Sequence, residues 1–229
     1  KHTGTGFTGY TFRDLTSDIP DIAAHWKKLD LSFDALYTGY LGSIEQVEIV
    51  SEFFDDFGTN DNFIVVDPVL GDAGKLYAGF TDDFVRKMTS LCSKADFILP
   101  NMTEASFMLG IPYVEEYDEE YVRNVLRKLA ELGCNVPVLT GVSFGDGKQG
   151  AVAYDSRNDS FYSAFGDNID YRFHGTGDII ASVFTGAVVL GKTLPQALEI
   201  AVKFTHDCIE ATVPHLDEMW YGSCFELCL

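Results

Sequence analysis

The sequence predicts an α/β fold: a mostly parallel sheet covered by helices on both faces. Short apolar runs stop abruptly at polar or glycine residues, longer segments between them repeat apolar positions at helical spacing, and the two kinds alternate along the chain.

Taken in order, residues 3–12 are rich in Gly, Thr and aromatics, a composition that suits a mobile loop near a ligand. Ile22, Ala23, Trp26 and Leu29 share one face of a helix predicted over 19–29, and a short strand over 35–38 follows. Ser43 stands where it caps a helix over 44–57, with Glu45 to Glu48 in the first turns as the helix dipole prefers. Phe63-Ile64-Val65-Val66, closed by Asp67, has the unbroken apolarity of a strand buried on both sides. Thr81 starts a helix reaching about Lys94, and the strand over 97–99 is broken by Pro100-Asn101. A short helix over 103–109 precedes an amphipathic one that runs from its cap at Asp118 through Leu132 and closes at Gly133. Residues 136–139 form a strand, and 150–154 with 161–165 form a β-hairpin around the polar turn 155–159. Two helices end the pattern. The first, over 179–190, turns Ile180, Val183, Phe184 and Ala187 inward; the second, capped by Thr193 over 194–212, turns in Leu198, Ala201, Val202, Thr205 and Ile209. No repeat, linker or low-complexity block intervenes, so residues 1–229 are expected to form one domain.

Composition narrows the function. With 46% hydrophobic residues a sizeable core is available, and a net charge of -19 from 35 acids against 16 bases argues against nucleic acid and against an anionic membrane surface. A nucleotide is also an anion, so a nucleotide-using enzyme of this charge needs local neutralisation by Mg2+ and helix amides. The five cysteines, Cys92, Cys134, Cys208, Cys224 and Cys228, form no Cys-x-x-Cys pair. Neither a zinc site nor a disulfide framework is indicated, and a reducing, cytoplasmic compartment is expected. No apolar run reaches the ~20 residues of a membrane span, and no signal peptide is recognisable. The five histidines show no short ligand spacing.

In a parallel sheet, ligands bind beyond the C-terminal ends of the strands. Four predicted strand ends carry polar or glycine residues: Thr38-Gly39-Tyr40, Asp67 to Asp72, Asn101 to Glu104, and Thr140-Gly141. The fifth group, His174-Gly175-Thr176-Gly177-Asp178, joins a glycine turn to the start of a buried helix. Free helix amides and two glycines make an anion cradle, and Asp178 can take a proton from a substrate hydroxyl while those amides stabilise a phosphoryl group in transfer. The pattern points to a kinase. Gly186 to Thr193 also spells the phosphate-loop motif Gly-x4-Gly-Lys-Thr, but residues 187–190 continue the helical period from Ile179, so Gly191 is expected to cap a helix instead of wrapping a phosphate.

These residues together resemble the ribokinase-like superfamily and, within it, the pyridoxal kinases. The match runs through His2-Thr3-Gly4, Phe12 to Thr16, Thr38-Gly39-Tyr40, Asp67 to Asp72, Pro100 to Glu104, Thr140-Gly141 and Gly175 to Asp178, in collinear order over nearly the whole chain. The resemblance implies a three-layer sandwich and transfer of the ATP γ-phosphoryl group to the 5'-hydroxymethyl of pyridoxal, pyridoxine or pyridoxamine. It gives Asp178 the role of base and Gly175, Thr176 and Gly177 that of anion hole. Asn101, Glu104 and Asp72 are implied for Mg2+ and ATP, Thr140 and Tyr77 for the nucleotide, and Thr3 and Tyr40 for the vitamin ring. A homodimer is implied as well.

Two departures from the family pattern carry expectations of their own. The family has a central first strand, bearing a Ser that contacts the vitamin, ahead of the segment matching His2-Thr3-Gly4. Without it the sheet is expected to show open edges and altered packing, with little activity. Leu99 stands where the family has Thr, which removes a hydroxyl from the region where the family holds a monovalent cation with Asp67 and Glu104. The competing functions are hydroxymethylpyrimidine kinase, with the same chemistry on a similar ring, and a non-catalytic ligand-binding protein built on a kinase fold.

Overall fold

The computed structural model of the chain describes residues 7–169, 171 and 173–229. Thr3 lies outside them. The helices are α1 (Ile19–Lys28), α2 (Ile44–Phe57), α3 (Asp82–Cys92), α4 (Met102–Leu109), α5 (Glu119–Glu131), α6 (Thr176–Val189) and α7 (Leu194–Thr212). The strands are β1 (Ala35–Thr38), β2 (Phe63–Val66), β3 (Gly71–Asp72), β4 (Lys75–Leu76), β5 (Phe97–Ile98), β6 (Val136–Val142), β7 (Lys148–Asp155) and β8 (Ser160–Asp167).

Six strands pair in the order β1-β2-β5-β6-β7-β8, while β3 and β4 form a separate two-stranded hairpin. The pairs β1–β2, β2–β5 and β5–β6 are parallel; β6–β7 and β7–β8 are antiparallel. Among the described residues this row is uninterrupted, with β1 and β8 as its two edges, so the gap expected at the sheet centre is not found.

The period of two along the strands divides the core into two layers. Val66, Ile98, Leu139 and Val152 join Val47, Phe54, Met88, Ala105 and Leu126, so one face is covered by α2 to α5. Their neighbours Val65, Phe97, Val138 and Ala153 point the other way, onto Ile180, Phe184, Ala187, Leu198 and Val202 of α6 and α7. The result is the helix–sheet–helix sandwich the sequence predicts. Phe184 is fully buried and crosses Phe97 edge-on with ring centroids 5.2 Å apart; burying such a ring contributes about 1.5–3 kcal/mol.

Local chemistry sets the element ends. Ser43, Thr81 and Asp118 each accept a hydrogen bond from the backbone amide three residues on, capping α2, α3 and α5. Gly191, at φ 75°, follows the end of α6, so the phosphate-loop look-alike is a helix terminus, as its apolar period indicated. The β3–β4 hairpin is the element that sequence pattern does not reveal, because two-residue strands carry no measurable alternation. Its turn places Ala73 at φ 48° and Gly74 at φ 74°, the paired left-handed residues of a two-residue hairpin loop.

Candidate active site

The parallel strands all run the same way, so Gly39 and Tyr40 after β1, Asp67 after β2, Asn101 after β5 and Thr140 late in β6 gather at one edge of the sheet. Asn101 and Thr140 meet in an isolated parallel bridge, and the Thr140 amide donates to Pro100 O at 2.9 Å. Asp67 is tied to β1 through its amide, 2.9 Å from Thr38 O.

The N-terminus of α6 closes this edge. Gly175 takes φ 89°, a conformation that strains any residue with a Cβ, and serves as the N-cap. The first intrahelical bond at this end is donated by Ile179 N–H to Gly175 O, 3.0 Å, which leaves the amides of Thr176, Gly177 and Asp178 without an intrahelical acceptor. A partial positive charge therefore faces the rim. The Asp178 carboxylate lies in the same place: a methyl group added to Gly39 would sit 3.5 Å from its Oδ1 and 3.5 Å from the Tyr37 hydroxyl. A methyl on Gly177 would sit 3.8 Å from Oδ2 of Asp67, so Asp67 and the cradle also adjoin.

Electrostatics show how closely the acids gather. Burial holds the Asp178 carboxyl above its ordinary value. Burial first, and then the charge of Asp178, push Asp67 up; burial and the charge of Asp67 do the same to Glu104. The Tyr77 hydroxyl is pushed up to about 12, by burial and then by the charges of Glu104, Asp72, Asp67 and Asp178. Four carboxylates thus act on one phenol, and the mutual repulsion of buried acids is the kind of charge excess that a divalent cation relieves.

Glu104 is held hard. Its Oε1 accepts from Leu70 N at 2.9 Å and its Oε2 from Asn101 N at 2.8 Å, while Asn101 Oδ1 accepts from Glu104 N at 3.0 Å. This is a capping box on α4, and Asn101 Nδ2 adds a bond to Gly71 O at 2.9 Å. The Asn-x-x-Glu pair thereby fastens the 70–72 backbone beside the acids.

The comparisons with known proteins agree with this geometry. Residues 19–220 match the family model described as phosphomethylpyrimidine kinase. The chain belongs to that family. A solved Bacteroides thetaiotaomicron VPI-5482 protein, described as a candidate phosphomethylpyrimidine kinase, is 39% identical with a TM-score of 0.95, covering 99% of this chain and 78% of that one. Its second crystal form, with pyridoxal, is 41% identical with a TM-score of 0.87, covering 92% and 74%. Pyridoxal kinase from Lactobacillus plantarum is 29% identical with a TM-score of 0.89, covering 99% and 81%. The curated pyridoxal kinase of Dictyostelium discoideum is 27% identical over 222 residues, 91% of this chain and 70% of that protein. Against several other curated relatives this chain spans less than two thirds of their length. The fold is that of the ribokinase-like pyridoxal kinases, and the chain is a kinase of the pyridoxal and hydroxymethylpyrimidine kinase group.

Within this family member the structure brings Asp178, Gly175, Thr176, Gly177, Glu104, Asn101 and Thr140 to one rim, with Tyr40 and Tyr77 exposed beside it. Tyr40 stacks on Phe80 with centroids 5.9 Å apart, and Phe80 on Phe84 at 4.0 Å, a short aromatic pile at the edge of the site. Asp72 is exposed on the hairpin, its Oδ1 accepting from Ala73 N at 2.8 Å. Leu99 is buried in the apolar layer of α6 and α7. Pattern reasoning left Tyr37 out of the site; its signal was a Tyr at the outward position nearest the end of an otherwise apolar strand. Asp67, implied by the resemblance for a monovalent cation with Glu104, lies beside that residue and the α6 cradle. On α7, His206, Asp207 and Glu210 bring ligand atoms within 4.8 Å of one another, a grouping made by helix geometry that the spacing of histidines alone does not show. Asp207 already pairs with Lys203 there.

Proposed function

We propose that this chain transfers the γ-phosphoryl group of ATP to the 5'-hydroxymethyl of pyridoxal, pyridoxine or pyridoxamine. The observation that carries the reading is the Asp178 carboxylate in the first turn of α6, beside free helix amides and adjoining the buried Asp67. The choice of vitamin is supported by the related Bacteroides protein solved with pyridoxal.

In this reading Asp178 accepts the hydroxyl proton as the substrate oxygen forms its bond to the γ-phosphorus and the bond to the ADP oxygen breaks. The amides of Thr176, Gly177 and Asp178 stabilise the charge spread over the transferring group. Asp72 and Glu104 would hold Mg2+, with Asn101 acting through the backbone it fastens. When bound, the ion neutralises phosphate charge that this acidic chain does not. Tyr40 offers its ring face to the substrate ring, and Thr140 and Tyr77 line the nucleotide; Thr3, assigned to the ring as well, lies outside the described residues. We assign the chain as one domain working as a cytoplasmic homodimer. Among the described residues no helix is long and apolar enough to cross a membrane.

Hydroxymethylpyrimidine kinase is the second reading, favoured by the family match itself. Steady-state rates on pyridoxal and on hydroxymethylpyrimidine, each with Mg-ATP, separate the two: a higher kcat/KM for the vitamin is expected, and a strong preference for the pyrimidine overturns the assignment.

A further inference from the structure

The β3–β4 hairpin is built under strain and held from one side. Val69, at φ 38°, is a β-branched residue in a region such residues avoid, and two more left-handed residues, Ala73 and Gly74, follow within the turn. Conformations of this kind persist only where the surroundings over-determine them. The first turn of α4 does that with three side chains. Glu104 takes the Leu70 amide and Asn101 the Gly71 carbonyl, as described above. The third is Thr103, whose Oγ1 accepts from Gly74 N at 2.9 Å. Thr103 is 2% exposed, so its hydroxyl is committed inward and not to solvent. Beside the turn lies Tyr113: a Cβ on Gly74 would come within 2.6 Å of its ring, so the backbone packs directly against the ring.

We infer that Thr103 is a positioning residue: its hydroxyl, with the Tyr113 ring, latches the hairpin tip to α4 so that Asp72 and Tyr77 are set before the nucleotide arrives. The inference rests on the kinase reading for its consequence, since Asp72 and Tyr77 are assigned to the nucleotide side. It does not rest on that reading for the latch itself. A hairpin of two-residue strands cannot hold its own shape in water, and an unlatched one must be ordered by the nucleotide at the expense of affinity. The vitamin side is built on β1 and α6, elements other than α4 and the hairpin, and is expected to be indifferent to the latch.

The test uses Thr103→Val, which keeps the shape and removes the acceptor, and Thr103→Ser, which keeps the acceptor. Hydrogen–deuterium exchange over residues 70–77 is measured on the unliganded protein, and KM for ATP and for pyridoxal on the working enzyme. Losing one such bond corresponds to roughly fivefold. Thr103→Val is expected to speed exchange in the segment by about that factor or more and to raise the KM for ATP by about fivefold, with the KM for pyridoxal unchanged and Thr103→Ser close to wild type. Wild-type exchange in Thr103→Val overturns the latch. Faster exchange with an unchanged KM for ATP, an equal rise in both KM values, or a Thr103→Ser as impaired as Thr103→Val overturns the positioning role. Should Thr103→Val not fold, Gly74→Ala, whose methyl meets the Tyr113 ring, must show the same exchange and the same selective rise in KM. If wild-type protein phosphorylates neither ring, the kinase reading fails while the exchange measurement still judges the latch.

Discussion

Asp178 occupies a position where two influences oppose each other. The helix N-terminus favours its negative charge, whereas burial disfavours it, and burial is what shifts the group, upward. A carboxylate displaced in that direction is a better proton acceptor and is more easily silenced by acid. The acid limb of the kcat profile is therefore expected above the ordinary carboxylate value of about 3.9, the enzyme losing turnover as pH falls through the raised value. Asp178→Asn keeps the shape and removes the base: kcat is expected to fall by about two orders of magnitude or more, with the KM values changed only by small factors. Rapid-quench measurement of ADP formation over a pH series checks both points. A non-catalytic binding protein would instead show ligand affinity and any residual turnover untouched by the substitution. The same residue shows how far sequence reaches. Its place at a glycine turn was legible because helix periodicity and two glycines are local signals. That the end of β1 at Gly39 joins it was legible from the strand-end rule; that Tyr37 does was not, because no local pattern encodes which side chain of a strand faces which helix.

Among the elements, the helices were readable where a cap and a periodic face agreed, as in α2 and α7, whose ends match the expected ones. The strands fared less evenly. β6 continues past Thr140 through Gly141 to Val142 with a shift of register, and it pairs antiparallel with β7, neither of which an apolar run announces. Element α4 is the instructive case, because its Asn-x-x-Glu is at once a capping box and a clamp on the next loop. Comparing two caps separates these roles. Ser43→Ala removes one side-chain bond, at a cap that bears none of the acids, and is expected to cost about 1 kcal/mol in urea unfolding, with little loss of kcat/KM. Asn101→Ala removes the cap and the bond to Gly71 together, so about 2 kcal/mol is expected, accompanied by a loss of activity that added Mg2+ only partly restores. Equal losses in the two variants would mean that the tie to Gly71 contributes nothing.

At the scale of the whole molecule, the excess of acid in the composition, a net charge of -19, reappears as a local fact: buried carboxyls facing one another across the rim. Asp67 and Glu104 have values raised by burial first and then by a neighbouring charge, Asp178 for the former and Asp67 for the latter. The native state therefore binds protons that the unfolded chain has already released, across the interval from the ordinary carboxylate range up to the raised values. In that interval stability falls as pH rises: the contribution is complete below the unfolded values and lost as pH passes the folded ones. In EDTA, the Tm is accordingly expected to decline as pH is raised from about 5 to about 8, each kcal/mol corresponding to about 2–4 °C for a chain of this size. Asp67→Asn removes one of the repelling charges and flattens the slope. Millimolar Mg2+ supplies the missing counter-charge and is expected to raise the Tm most at the alkaline end, where the carboxylates are ionised, and least at the acid end, where protons already neutralise them. A Tm that climbs over this range, or a Mg2+ effect independent of pH, would mean that the rim acids are balanced by something other than protons and metal.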